Sequence, residues 1–388
     1  MRRRIAVVTG ARSDYGLLKG LLDAIRRRPD LRLLLIVTGQ HLMRRFGLTV
    51  REIERDGLPI AARIDLGLRG DSGCDIAQAM GRGTLGFAQT YSRLKPDLLV
   101  VLGDRYEILS AASAALPFRL PVAHIHGGEA TEGLIDEQIR HAVTKLSHIH
   151  FPATETYRER LLRMGEAPGR VFRFGSPGLD GIQRLPLHSK AALAEELRLP
   201  MQEPWGIVTY HPVTLERGCA AQESRRLIQA LEHFPALFWV FTFPNMDTEN
   251  SPIIRRIGDF VRRHPARAVA HASLGRLRYL SLLKHAALMV GNSSSGLIEA
   301  PSFRLPAVNI GNRQSGRLRA ANVIDVKGGS ARAIAAAIDK AMDPRWRRRL
   351  QGLHNPYAGR DASLRIAAVL ARIPLDQALV KKSFFTPR

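Results

Sequence analysis

The 388-residue chain is 45% hydrophobic, enough for two domains with a core each, and no apolar run reaches the roughly 18 residues that a membrane-spanning helix needs. Its net charge of +23 rests on 58 basic residues against 35 acidic ones; the arginines that dominate are scattered, with no interleaved aromatics and no nucleic-acid motif, so nucleic acid is set aside as the main ligand, and a general bias toward arginine, helped by an anionic substrate, is the plainer account. The two cysteines, Cys74 and Cys219, sit in no metal-ligand or redox spacing, which predicts free thiols in a reducing, cytoplasmic setting.

In chain order, a basic start and the short run Ile5-Ala6-Val7-Val8 mimic a signal peptide only briefly and read as a first strand. Strands are predicted at 4–9, 33–38, 97–102, 121–125, 149–151 and 171–174, with helical patterns at 17–28, 108–116, 137–146 and 156–164. Continuous apolar strands joined by helices indicate a mostly parallel sheet covered on both faces. The order then begins again. Strands are predicted at 205–210, 237–243, 288–291, 307–310 and 323–326, and helices at 222–233, 253–263, 274–285, 296–302 and 331–342. The Pro- and Gly-bearing stretch 175–204 carries one helix, 190–197, and holds the domain junction. The fold class expected is α/β, with two doubly wound halves and a cleft between them. The weak pattern of 373–388 predicts a tail that docks loosely or frays.

Several strand ends carry chemistry. After the first strand, Gly10-Ala11-Arg12-Ser13-Asp14 leads into a helix whose first N–H groups can face an anion. The loop is not GxGxxG, so a dinucleotide is not indicated. Arg12 is suited to clamp a diphosphate; a solvated loop arginine is the plainer alternative. Gly103-Asp104-Arg105-Tyr106-Glu107 puts a carboxylate at another strand end, where Asp also serves as a helix cap.

The segment His126-Gly127-Gly128-Glu129, running on to Asp136-Glu137-Gln138-Ile139-Arg140-His141, crowds carboxylates, imidazoles and an arginine around a glycine pair. It points to acid–base chemistry on a small molecule. Arg140, four residues after Asp136, shares a helical face with it and is expected to orient that carboxylate. His211 precedes Pro212 at a strand end and is suited to a phosphate or to proton transfer. Gly291-Asn292-Ser293-Ser294-Ser295-Gly296 runs from a strand into a helix, a phosphate-binding pattern, with Glu299 about one turn in and placed for ribose hydroxyls. The histidines His124, His126, His141, His148 and His150 match no known metal-site spacing. Hydrogen bonding is expected of them, and no metal.

Taken together, the motifs at 8–16, 103–107, 126–141, 175–180, 211–214, 291–296 and 308–317 resemble the UDP-N-acetylglucosamine 2-epimerase family, in its hydrolysing branch. The resemblance runs from Val7 to about Arg365. It implies two Rossmann-like domains facing across a cleft, as in GT-B glycosyltransferases, at 1–178 and 179–372 with a tail at 373–388. A UDP-sugar substrate, no metal or redox cofactor and a homodimer are also implied. By position, Asp104, Glu129 and Asp136 match the three catalytic acids, and His211 matches a nucleotide-side histidine. Ser293, Ser294 and Glu299 match diphosphate and ribose contacts, and Arg12 and Arg313 match anion-binding arginines.

The reaction so implied is elimination of UDP to a 2-acetamidoglycal, then addition of water, yielding a free 2-epimer for sialic- or legionaminic-acid-type biosynthesis. The starting sugar is UDP-N-acetylglucosamine or its 4-acetamido-6-deoxy relative, UDP-N,N'-diacetylbacillosamine. The rivals are a non-hydrolysing epimerase, a GT-B glycosyltransferase that needs an acceptor, and a non-catalytic nucleotide-sugar or nucleic-acid binder. Three carboxylates at strand ends argue against the last. The glycine-rich stretch 63–83 is read either as a lid over the sugar or as a plain surface connection.

Overall fold

The computed structural model describes residues 2–70, 72–213, 218–244, 250–327 and 329–386. Thr214, which ends the His-Pro-Val-Thr motif, and Asp71, within 63–83, lie outside the described residues. The chain divides into two compact units. The first comprises Met1–Glu129, Asp136–Gly181 and Tyr357–Arg388; the second comprises Ala130–Ile135 and Ile182–Pro356.

Each unit is built on a six-stranded parallel sheet. In the first, β1 (Arg3–Thr9), β2 (Leu31–Thr38), β3 (Ile60–Ile64), β4 (Leu98–Leu102), β5 (Val122–Ile125) and β6 (Ile149–Phe151) lie in the order β3-β2-β1-β4-β5-β6. In the second, β7 (Trp205–Thr209), β8 (Phe238–Thr242), β9 (Ala268–His271), β10 (Leu288–Gly291), β11 (Ala307–Ile310) and β12 (Val323–Val326) lie in the order β12-β11-β10-β7-β8-β9. Both are the doubly wound Rossmann order, which reverses direction between the first and fourth strands of the unit. Strands such as β4 and β7 are buried along their whole length, because helices cover both faces of each sheet. That is why they read as unbroken apolar runs rather than alternating ones.

The structure departs from the predicted elements in several places, short helices at Val50–Arg55 and Pro344–Arg348 among them. Residues 171–174 form no strand: Val171 makes a single bridge to His150, and Phe172 N–H donates to the His150 carbonyl. The short strands β3 and β9 were not foreseen, because neither is a long apolar run. Nor was the helix Gly73–Leu94, capped at Ser72 by a capping box with Asp75; it takes up the second half of the 63–83 stretch. From within it, Arg82 donates to the carbonyls of Leu66 and Gly67.

Another departure is the end of the chain. The helix Ala362–Arg372 belongs to the first unit, where Ile366, Ala367 and Leu370 join the core of Leu18, Leu21 and Leu22. Asp180 fixes its start by accepting from the amides of Ala362 and Ser363. Within the predicted tail, Lys382 is docked. Lys382 Nζ lies 2.7 Å from buried Glu166 and donates to the carbonyls of Thr144, Lys145 and Ser147. It thus caps the C-terminal end of the helix Asp136–Leu146, where a cation opposes the helix dipole. Burial would push the Glu166 carboxyl upward, but His150, Lys145 and Lys382 more than offset this and hold it at about 2.

Candidate active site

In an open α/β sheet a ligand sits beyond the carboxyl ends of the strands, at the point where strand order reverses. In the first unit that point lies between β1 and β4. The residues there are Gly10 to Asp14 after β1 and Gly103 to Glu107 after β4. In the second unit it lies between β7 and β10, followed by His211 and by Asn292 to Ser294. Four of the sequence motifs therefore fall at the two switch points.

Arg12 opens the helix Arg12–Arg27. The preceding turn is closed on itself: the buried Asp14 carboxylate accepts from the amides of Gly10 at 3.2 Å and Ala11 at 2.9 Å. Those two amides, which precede the helix, are therefore spent internally. Burial, followed by the nearby Glu107, raises the Asp14 carboxyl to about 6.

Asp104 follows β4, and the helix Asp136–Leu146 brings Arg140 to it. The Arg140 guanidinium, fully buried, bonds the Asp104 carboxylate, the Glu137 carboxylate at 2.5 Å and the Glu129 carbonyl at 3.0 Å. Glu137 in turn faces His141 at 3.1 Å. Burial pulls the Arg140 pKa down, but Asp104 and Glu129 outweigh it and the net shift is upward, so the group stays charged. Asp136 stands half-buried as the first residue of the helix, and Glu137, next to it, also belongs to the arginine's network. The signal was present in the spacing: Glu137 is three residues from Arg140 and four from His141.

Glu129 is buried, and its Oε1 lies 2.7 Å from His126 Nδ1. The glycine pair makes this approach possible. Gly128 has φ +77, and a Cβ there would fall 2.5 Å from the Tyr157 carbonyl. Between Glu129 and Asp136 the chain crosses into the second unit, where Glu132 N–H donates to the Ser315 carbonyl.

In the second unit Asn292 is the organiser. It is fully buried, and its side chain accepts from the His211 amide at 2.7 Å and donates to the His211 carbonyl at 2.8 Å. Its own carbonyl accepts from Arg313 at 3.2 Å and Gln314 at 2.8 Å. Just before it, Gly291 has φ +140, and a Cβ there would stand 1.9 Å from the Thr209 carbonyl, so only glycine fits. His211 is thus tied to the Asn292 side chain and Arg313 to its backbone carbonyl, a role for Asn292 that the sequence did not reveal. The helix Ser295–Ile298 is four residues long, and Glu299 closes it. So short a helix has little dipole to offer an anion.

The histidines have hydrogen-bonding roles. His124 bonds the Gly103 carbonyl at 2.8 Å, His150 bonds Glu166 at 2.8 Å, and His148 accepts from the Val122 amide. Among the described residues no group of three or more His, Cys, Asp or Glu side chains is placed to hold a metal ion, and no helix is long and apolar enough to cross a membrane.

Burial depresses His124 to about 3, and His41 and His148 each to about 4. Such groups contribute full stability above an unfolded pKa of about 6.5 and lose it as pH falls toward their folded values. Asp14 acts in the opposite sense, since its raised pKa favours the fold below about 6. With His150 and His271, which burial also lowers, these histidines outweigh the one aspartate and predict a melting temperature that declines from pH 7 to pH 4. A flat melting temperature across that range would contradict the assignment.

A family model described as UDP-N-acetylglucosamine 2-epimerase matches residues 23–371. The chain is 39% identical to a GDP/UDP-N,N'-diacetylbacillosamine 2-epimerase (hydrolyzing) of Campylobacter jejuni, over 84% of each chain. It is 36% identical to a UDP-N,N'-diacetylbacillosamine 2-epimerase (hydrolyzing) of Legionella pneumophila, over 98% of this chain and 99% of that one. The UDP-GlcNAc 2-epimerase of Neisseria meningitidis, solved bound to UDP-GlcNAc, shares the fold with a TM-score of 0.81 at 17% identity, covering 95% of this chain and 99% of that one.

Proposed function

Because the chain belongs to the UDP-N-acetylglucosamine 2-epimerase family, on its hydrolysing side, we propose that it converts a UDP-linked 2-acetamido sugar to UDP and the free 2-epimer. The observation that carries this reading is the convergence of Asp104, Glu137 and the Glu129 backbone on the buried Arg140, beside a second carboxylate-bearing position at Asp136. Epimerisation at C2 needs more than one carboxylate. The C2 proton is not acidic, so its removal is coupled to departure of UDP from C1, through charge that resembles an oxocarbenium ion. One carboxylate takes the proton. The C2–H electrons become the C1=C2 bond, and the C1–O pair leaves on the diphosphate, whose growing charge Arg12 and Arg313 neutralise. A second carboxylate then delivers a proton to the opposite face of C2, and water adds at C1.

Glu129 and Asp136 divide the two proton transfers in this proposal, and Asp104, held by Arg140, orients them. His211, Ser293, Ser294 and Glu299 take the nucleotide, with His211 beside the leaving diphosphate. Of the two candidate sugars, the names of the Campylobacter and Legionella relatives favour UDP-N,N'-diacetylbacillosamine; UDP-N-acetylglucosamine is the second reading, from the family model.

The test is incubation with each sugar in deuterium oxide and EDTA, followed by proton NMR. Free UDP and a 2-epimer carrying deuterium at C2 are expected from one of the two. An intact UDP-linked epimer would instead mark a non-hydrolysing enzyme, and UDP released only when an acceptor is added would mark a glycosyltransferase.

A further inference from the structure

The loop from β11 to β12 carries Arg313, and a later arginine of the same loop, Arg319, has no part in the site described above. The loop leaves β11 at Gly311, which has φ +74 and donates its amide to the Val326 carbonyl at 3.0 Å. Two tight turns follow. The Ser315 amide donates to the Asn312 carbonyl at 2.7 Å, and the Arg317 amide donates to the Gln314 carbonyl at 3.2 Å. The side chains of Arg313 and Gln314, both buried, reach the Asn292 carbonyl, which anchors the first part of the loop.

Arg319 fastens the second part. Its Nη1 donates to the Arg317 carbonyl at 2.7 Å and its Nη2 to the Gln314 carbonyl at 3.3 Å. Its Nε lies 2.7 Å from Asp325 Oδ2, an ion pair. Asp325 stands on β12 opposite Asn309 of β11, and its other oxygen accepts from the buried Asn309 side chain at 2.7 Å. One guanidinium fork thus ties two loop carbonyls to the sheet by way of a single carboxylate. The Arg319 and Asp325 side chains keep 29% and 36% of their surface exposed, and an ion pair so placed stabilises the fold little by itself. Its value is therefore geometric: it fixes where the turns of the loop lie.

We propose that Arg319 is a positioning residue for binding of the UDP diphosphate, acting through Arg313. The Gln314 carbonyl that it holds belongs to the residue directly after Arg313, so Arg319 fixes the backbone from which the Arg313 side chain departs. A buried guanidinium on a loop finds an anion only if that backbone is set beforehand, because ordering it at the moment of binding is paid for in affinity. Arg319 does this by shape. All three of its nitrogens are engaged within the loop or on Asp325, and the Asp325 carboxylate offsets its charge.

The inference rests on the proposed assignment of Arg313 to the diphosphate, and a double-mutant cycle on the full chain separates the two. UDP affinity is measured by calorimetry for the parent, Arg319→Met, Arg313→Met and the variant carrying both. Arg319→Met should weaken UDP roughly tenfold in the parent and add little further loss to Arg313→Met, since the side chain it positions is already gone. A residue that merely stabilises the fold would weaken both backgrounds equally. Arg319→Lys keeps the charge without the fork, so it should lose nearly as much as methionine. Unchanged UDP affinity in Arg319→Met, losses that add in full in the double variant, or parental affinity in Arg319→Lys overturns the proposal. UDP affinity indifferent to Arg313→Met defeats the assignment of Arg313 instead.

Discussion

Replacing Arg140 with methionine is expected to cost the protein both stability and activity. The side chain is fully buried and holds two carboxylates and a backbone carbonyl at once. Methionine fills much of the volume but leaves Asp104 and Glu137 without their cation. Removing one partner of a buried ion pair costs about 3–5 kcal/mol. The two carboxylates keep about a fifth of their side-chain surface exposed, which places the loss near the lower end, at about 3 kcal/mol. Turnover should fall by roughly a hundredfold or more, since a misplaced Asp104 no longer presents its charge where the reaction develops its own. Arg140→Lys separates the two effects. An ammonium retains the charge but cannot bridge both carboxylates and the carbonyl in one plane, so it should restore more stability than rate. Urea unfolding and steady-state turnover on the three proteins measure this directly. A methionine variant as stable and as fast as the parent would remove Arg140 from the centre of the site.

Glu129→Gln and Asp136→Asn carry the second large effect, and they differ in kind. Each should lower kcat by about 10²- to 10⁴-fold, the usual contribution of a positioned acid or base. Each should leave UDP affinity nearly intact, because the proposed nucleotide groups His211, Ser293 and Arg313 belong to the other unit. The variant that lost the base releases no UDP. The variant that lost the acid still eliminates UDP slowly but accumulates the 2-acetamidoglycal, seen as a vinylic C1 proton by NMR. Which variant does which assigns the two roles. Near-normal turnover in both would remove this pair from the chemistry.

The sequence by itself determined the α/β class and the doubling of the βα alternation, because a strand buried on both faces must be an apolar run. It determined the motifs as well, since turns and ligand-facing loops need Gly, Ser and charged residues at strand ends. It also located Asp104, Glu129, Asp136 and His211 along the chain as chemistry-bearing positions. It did not determine strand order, so nothing in it said that the loops after β1 and β4, and those after β7 and β10, fall at switch points. It did not carry the return of the chain to the first unit at Tyr357, which depends on Asp180 capping a helix about 180 residues later. Nor did it give the partners of Arg140, the gathering of His211 and Arg313 on Asn292, or the alignment of His126 with Ser176, 50 residues on. The physical reason is one of range. Periodicity and propensity record what a residue asks of its near neighbours, whereas a buried arginine or imidazole is satisfied by whichever group the packed sheet brings within about 3 Å of it, and only the tertiary structure decides which that is.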